Sequence, residues 1–304
     1  MPELAGPDPT IHRRRLRSEL RKAREAAGKT QRETALAMDW SMSKLIRIET
    51  GDVRVSTNDL RAMLNYYGVP EDRVSTLVEV AKAAREPARW ARYRDVASPE
   101  YLAFLGYESS ASVIRNFEPI WVPGLLQTEE YARAVITPSL PSMTAQQVDS
   151  LVDLRVERQE VLVRPSSPEL HFIIDESVIH HLVGGKDVMR RQLQQLKELA
   201  TQPHISLRIV TFDQGVYPRM RIPYVIFEFE APEDEDVLYI ENATDELVIK
   251  ENSPVDAESS GPVEYLQSFW RLEQLAHRED TAGILDDALA RLSTRSEPRS
   301  QDVV

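Results

Sequence analysis

The chain has 304 residues, a net charge of −12, 42% apolar and 28% charged residues, and no cysteine. At roughly 100–200 residues per domain, this length predicts two or three domains, with enough apolar material for real cores. The absence of cysteine excludes a disulfide scaffold, a thiolate metal site, a cysteine nucleophile and an iron–sulfur cluster. No apolar run approaches the roughly 18–20 residues of a membrane span, and Met1–Thr10 lacks the apolar stretch of a signal peptide, so the expected location is cytoplasmic, without membrane contact.

The charge is unevenly spread. Residues 1–94 carry 19 Lys+Arg against 13 Asp+Glu, and the remainder 18 against 36. A basic head on an acidic body is a compositional sign of a nucleic-acid-binding module joined to something else.

The head reads as five short helices. Over 11–27, Leu16, Leu20, Ala23 and Ala27 share one face at helical spacing, while Arg13, Arg14, Arg15, Arg17, Arg21, Lys22 and Arg24 are expected on a mostly solvated remainder. Gly28 is a stop signal. Thr30-Gln31-Arg32-Glu33 is a capping box opening a second helix to about Met38. Asp39-Trp40 makes a tight turn, and Ser41 caps a third helix, Met42–Thr50, closed by Gly51. Ser56 opens a fourth with Leu60, Met63, Leu64 and Tyr67 inward. Pro70 and Glu71 start a fifth with Leu77, Val80, Ala81 and Ala84. The second and third helices, joined by so short a turn, form a helix-turn-helix, whose second member enters the major groove by its N-terminal end.

Thr30-Gln31-Arg32-Glu33-Thr34-Ala35 through Ser41, followed by Ile48-Glu49-Thr50-Gly51, resembles the Xre family of phage-repressor-like DNA-binding domains over residues 14–69. The family pattern departs here at Thr34 (usually Leu), Asp39 (usually Gly) and Ile46 (usually small and polar). By position on the third helix, Met42, Ser43, Lys44 and Arg47 project outward, while Leu45 and Ile48 repeat on the core side. Arg47 suits a bidentate contact to guanine, and Met42 and Ser43 suit a thymine methyl or a base edge. Lys44 suits a phosphate. The resemblance places Gln31 on a backbone phosphate, and by position Ser41 and Asn58 suit further phosphate contacts. The alternatives are that Arg47 pairs with Glu49 or Asp52 and that Met42 fills a packing gap.

The body follows a connector, 86–100, that carries large aromatic residues. Strands are expected over 112–122, 171–174, 204–212, 224–229, 237–241 and 247–250. Helices are expected from Thr128 through Val135, and over 144–163, 176–183, 188–200, 262–277 and 281–292. This mixture argues an α/β or α+β domain. The acidic run 228–236 reads as a solvated loop rather than a DNA mimic. The fold class expected for the whole chain is therefore multi-domain: an all-α helix-turn-helix domain (11–85), the connector (86–100), a mixed α/β (α+β) regulatory, dimerisation and partner-binding domain (101–293) and a loose tail (294–304).

The segment Val122-Pro123-Gly124-Leu125-Leu126-Gln127-Thr128, followed by Tyr131-Ala132, resembles the hallmark of a C-terminal domain of unknown function in actinomycete Xre regulators. Arg158-Gln159-Glu160-Val161-Leu162, Asp175-Glu176-Ser177-Val178-Ile179 and Gln192-Leu193 fit its later blocks. Together the two parts resemble WhiJ-like regulators of development and secondary metabolism. That resemblance implies a small cognate partner protein encoded nearby, a homodimer, and double-stranded DNA with an inverted-repeat operator. An antitoxin-like or scaffold role, with DNA binding as autoregulation, is the alternative. Leu125, Leu126, Tyr131 and Trp270 are the candidate partner-binding residues if they form exposed apolar surface. The competing structural reading makes the leucines core and Thr128 an N-cap.

No catalytic constellation stands out, and no cofactor or metal is expected. Glu176 and His180, with His181 beside them, lack the second histidine of a zinc-protease helix. Asp175-Glu176 reads as an anionic helix cap rather than a catalytic pair. Gly184-Gly185 lacks the spacing of a phosphate loop, and there is no Gly-x-Ser-x-Gly elbow. The chain is expected not to be an enzyme.

Overall fold

A computed structural model describes residues 8–241, 247–251 and 261–294. The chain divides into two compact units: one is built from the chain up to Arg92 with Leu105–Ser110 and Ala231–Asp234, the other from Tyr93–Phe104, Ala111–Glu230 and the chain from Glu235. The tail expected after Thr294 lies outside the described residues.

The first unit holds α1 (Pro9–Ala26), α2 (Gln31–Ala37), α3 (Met42–Thr50), α4 (Thr57–Tyr66) and α5 (Glu71–Ala83). Each start has a local cause. The Asp8 carboxylate accepts the Thr10 N–H, with Pro9 supplying a preset φ at the first turn, and the Ser41 and Ser56 hydroxyls accept N–H groups three residues on. Gly28, Gly51 and Gly68 end their segments at φ +64°, +87° and +74°. Leu20, Leu45, Leu60, Met63, Leu64 and Val74 are almost wholly buried in one cluster, at about 1.5–3 kcal/mol for each large side chain. One expectation is corrected. Of the seven basic side chains on α1, only Arg21 and Lys22 are exposed, and Arg14 is buried. The reason is that arginine stems cover the bundle while their heads cap neighbouring backbone: Arg13 Nε donates to Ala84 O and Arg17 Nη1 to Thr50 O.

The second unit is built on a six-stranded sheet. Its strands are β1 (Val113–Glu118), β2 (Glu169–Asp175), β3 (Ile205–Val210), β4 (Tyr224–Glu228), β5 (Val237–Glu241) and β6 (Leu247–Glu251), in the order β3-β2-β1-β4-β5-β6. The β1–β2 and β2–β3 pairings are parallel, and β1–β4, β4–β5 and β5–β6 are antiparallel. The parallel half requires helical crossovers, supplied by α7 (Glu129–Ser139), α8 (Ala145–Glu157) and α9 (Lys186–Leu199); α10 (Pro262–Leu275) and α11 (Thr281–Thr294) follow the sheet in the chain. Tyr265, Phe269 and Leu272 of α10 bury against Phe117, Tyr224, Ile226 and Leu238 on one face. On the other, Phe104 meets Phe227 and Tyr239 with centroids 5.2 and 4.4 Å apart. The chain is thus an all-α helix-turn-helix region followed by an α+β domain.

Several expected elements change in extent. Phe104 belongs to a helix that the connector reading missed, α6 (Pro99–Ser110). Its signal was Ser98-Pro99-Glu100, and the Ser98 hydroxyl does accept the Tyr101 N–H. The strand expected to 122 stops at Glu118, because Pro119 cannot donate to the ladder. The helix expected over 144–163 passes at Arg158 into a 3-10 turn, Arg158–Leu162, whose tighter winding turns Arg158, Val161 and Leu162 inward together. The helix expected over 176–183 is only a 3-10 turn, Glu176–Ile179, which ends at His180; Gly184 and Gly185, at φ +69° and +90°, then lead into α9. Glu228, which belongs both to the expected strand 224–229 and to the acidic run 228–236, ends β4 and is no solvated loop residue, since it pairs with Arg115 at 2.6 Å.

The exposed apolar patch expected at Leu125, Leu126 and Tyr131 does not form: all three are buried, at 2%, 0% and 0% exposure. Burying this turn requires partners for its backbone, and amide side chains provide them. Gln192 accepts the Thr128 N–H and donates to Leu126 O, both at 2.7 Å, and Gln195 Nε2 reaches the same carbonyl at 3.0 Å. Gln127 Nε2 donates to Val122 O, Gln159 Nε2 to Gln127 O, and Arg155 Nη1 to Gln127 Oε1. The Tyr131 hydroxyl accepts the Val122 N–H, and burial pushes its phenol up to about 12. Gly124 lies close under two guanidinium groups: a Cβ there would lie 2.8 Å from Arg155 Nη1 and 3.0 Å from Arg158 Nη2, so those arginine heads would have to shift to admit a side chain. Thr128 caps α7, as the structural reading held. Gln192→Leu removes both hydrogen bonds of its amide and orphans the Thr128 N–H, so it should destabilise the second unit by about 1–3 kcal/mol. Gln195→Ala, whose carbonyl partner keeps Gln192, should cost clearly less. Equilibrium urea unfolding checks the ranking, and equal midpoints for the two variants would contradict the clamp.

Candidate nucleic-acid interface

The α2–α3 pair is fixed at its start, its turn and its end. At the start, the Thr30 hydroxyl accepts the Glu33 N–H, while Glu33 Oε2 accepts the Thr30 N–H at 2.8 Å. These bonds to Thr30 hold the Glu33 carboxyl below its ordinary value. At the turn, Asp39 takes the left-handed conformation, φ +54°, and the Trp40 N–H returns to Ala35 O. Asp tolerates this region better than most residues, which is why it substitutes for glycine here. At the end, Gly51 closes α3.

Beneath the pair lies a buried carboxylate. Glu49 is 2% exposed. It accepts Arg24 Nε at 2.7 Å, Arg24 Nη2 at 3.2 Å and Gln31 Nε2 at 2.9 Å. Arg24 also donates to Lys29 O. Burial alone would lower the Arg24 pKa, but the hydrogen bond and charge of Glu49 carry it above its ordinary value. One network therefore ties α1, the head of α2 and the end of α3. Sequence reasoning missed it, although the signal was present: Glu49 shares the inward face of Leu45 and Ile48, and a charge on that face needs a cation.

The expected DNA-contacting residues fall out as follows. Met42, Ser43 and Arg47 are exposed on α3, while Leu45 and Ile48 point into the core. Arg47 pairs with neither Glu49 nor Asp52: Glu49 is held by Arg24 and Gln31, and the Asp52 carboxylate accepts the Thr50 hydroxyl. Met42 fills no packing gap, at 50% exposure. Lys44 is partly engaged, its ammonium 3.7 Å from the Trp40 ring centroid and 3.7 Å from Asp59. Gln31 is half-buried, with its amide oriented by Glu49. Ser41 and Asn58 are exposed at the heads of α3 and α4. Among the candidate partner-binding residues, only Trp270 is exposed, at 47%.

Elsewhere, Asp175 accepts the Ser177 N–H and the Tyr217 hydroxyl, and Glu176 bonds His180 and the Phe212 N–H. These carboxylates are used as caps and ties. Among the described residues, no three His, Asp or Glu side chains converge to hold a metal, and no helix is long and apolar enough to cross a membrane.

This geometry defines a helix-turn-helix domain. Residues 15–77 match the family model of a helix-turn-helix domain, which points to a DNA-binding regulator. Residues 101–285 match the family described as a domain of unknown function (DUF5753), and since that match spans more than half of the chain, the chain belongs to this family. No curated protein and no solved structure matches the chain.

Arg24→Met leaves the Glu49 charge buried and unpaired, so it should cost about 3–5 kcal/mol. The double variant Arg24→Met/Glu49→Leu removes both charges and should regain most of that loss. A double-mutant cycle in urea measures the coupling. Additive losses would mean that the pair does not act as a unit.

Proposed function

We propose that this chain is a sequence-specific transcriptional regulator of the Xre type, binding an inverted-repeat operator as a homodimer. The observation that carries the reading is the exposure of Met42, Ser43 and Arg47 on the N-terminal two-thirds of an α3 that is locked from behind through Glu49. Arg47 presents an unpaired guanidinium fork, suited to the two acceptors of guanine in the major groove. Met42 and Ser43 read neighbouring base edges. Gln31, with one amide hydrogen committed to Glu49, keeps its second for a phosphate at the head of α2. Ser41, Lys44 and Asn58 complete the phosphate contacts. A two-fold dimer would place two such helices one helical turn apart.

The division of labour proposed is a DNA-binding domain over 11–85, a connector over 86–100 and a regulatory, dimerising body over 101–293, acting in the cytoplasm. The body receives a small cognate protein encoded nearby and serves development or secondary metabolism, as the resemblance to WhiJ-like regulators implies. With Leu125, Leu126 and Tyr131 in the core, the partner-binding role among the residues named rests on Trp270 of α10.

On a specific duplex, Arg47→Ala should lose about 1–3 kcal/mol and relax preference at one base pair. Gln31→Ala should weaken all sequences nearly equally. If a dimer neutralises six phosphates, log affinity should fall against log salt with a slope near −5. Fluorescence anisotropy across a salt series tests all three. An Arg47→Ala chain with unchanged specific affinity would remove Arg47 as the reader. Native mass spectrometry of the assembly isolated from its host tests the rest: a dimer with a stoichiometric small protein is expected, and a bare monomer would contradict it.

A further inference from the structure

A half-open cleft of about 280 Å³ lies within the first unit, between α1, the α3–α4 connection and the end of α5. Its accessible apolar lining comes from Leu16 and Val53, both half-buried, over a closed base of Leu20, Ile48 and Val55. Its rim carries four guanidinium groups, Arg13, Arg17, Arg54 and Arg85, against one acid, Asp52. Three of the four are pinned by backbone: Arg13 Nε to Ala84 O at 2.9 Å, Arg17 Nη1 to Thr50 O at 3.0 Å and Arg85 Nη2 to Val55 O at 3.0 Å. The Arg17 stem lies directly on Gly51, where a Cβ would stand 2.6 Å from Arg17 Cδ. The Asp52 carboxylate is occupied by the Thr50 hydroxyl at 2.7 Å. The positive charge is felt locally: burial, and then the charge of Arg54, lower the Arg13 pKa.

Such a cleft favours a ligand with two properties. An apolar floor gains nothing from a bare inorganic anion. A rim of prepositioned guanidinium donors gains most from a carboxylate, and would be desolvated without return by a neutral molecule. At ~30 Å³ for a water-sized group, the volume holds roughly nine non-hydrogen groups. We propose that this cleft binds a small amphipathic carboxylate of about that size, with its apolar body on Leu16 and Val53 and its carboxylate at the arginine rim. Ile48 and Gly51 belong to the end of α3, so the bound ligand sits directly behind the recognition helix. Any effect on DNA affinity rests on the regulator reading, whereas ligand binding does not.

The test uses the full chain without DNA and octanoate as the probe, followed by saturation-transfer NMR titration. Saturable binding is expected, with octan-1-ol and inorganic phosphate each at least about tenfold weaker. Arg54→Glu changes an exposed side chain and should leave the melting temperature unchanged while weakening octanoate at least about tenfold. No octanoate binding at millimolar concentration, equal binding of octanol, or an Arg54→Glu chain that binds as before would each overturn the proposal. Phosphate binding as tightly as octanoate would overturn it too, making the rim a simple anion site.

Discussion

The Glu49 carboxylate is placed where a charge is expensive. Moving an ion out of water costs several kcal/mol even after relaxation, and only close, hydrogen-bonded counter-charge repays it. Arg24 provides the charge and Gln31 a further donor, from two other helices. The need to satisfy one carboxylate therefore fixes three elements at once. A purely apolar contact at the same place could slide. A carboxylate with three defined donors has one low-energy arrangement, and the outward face of α3 inherits that definition. The exposed Met42, Ser43 and Arg47 are as well positioned as the network behind them.

The second unit uses the same principle without charge. Its turn at Pro123–Thr128 is buried, so its backbone groups need partners, and they come from glutamines on three separate stretches of chain. Amides suit this work because each offers donor and acceptor together and costs less to bury than an ion. Gly124 leaves room for the arginine heads that lie over it. The motif is explained by burial and hydrogen bonding.

Much of the first unit was legible in the sequence, because its cues are local. The Thr30–Glu33 box, the Ser41 and Ser56 caps and the glycines at 28, 51 and 68 each act within a few residues, and all appear as expected. The inward and outward faces of α3 follow from spacing alone. The features that were missed depended on distant partners. Arg14 and Glu49 carry charge, which sequence reasoning places in solvent, yet tertiary contacts bury both. The α8 helix gives way to a 3-10 turn at Arg158, whose guanidinium donates to the Tyr101 hydroxyl, 57 residues away. The leucines of the Pro-Gly turn could be read as surface or core, and only the glutamines of α9, more than sixty residues on, decide it. Trp270 shows the converse: its helix is amphipathic as expected, but the indole lies toward solvent while Tyr265 and Phe269 fill the core.

The central claim is that this locked α3 reads DNA sequence. Selection of the full-length wild-type chain against a library of random double-stranded DNA tests it most directly. The expected result is enrichment of one motif made of two inverted half-sites, centred about 10–10.5 base pairs apart or a multiple of that distance. Recovery of DNA without any enriched motif would mean that the basic face binds phosphates alone, and would contradict the claim.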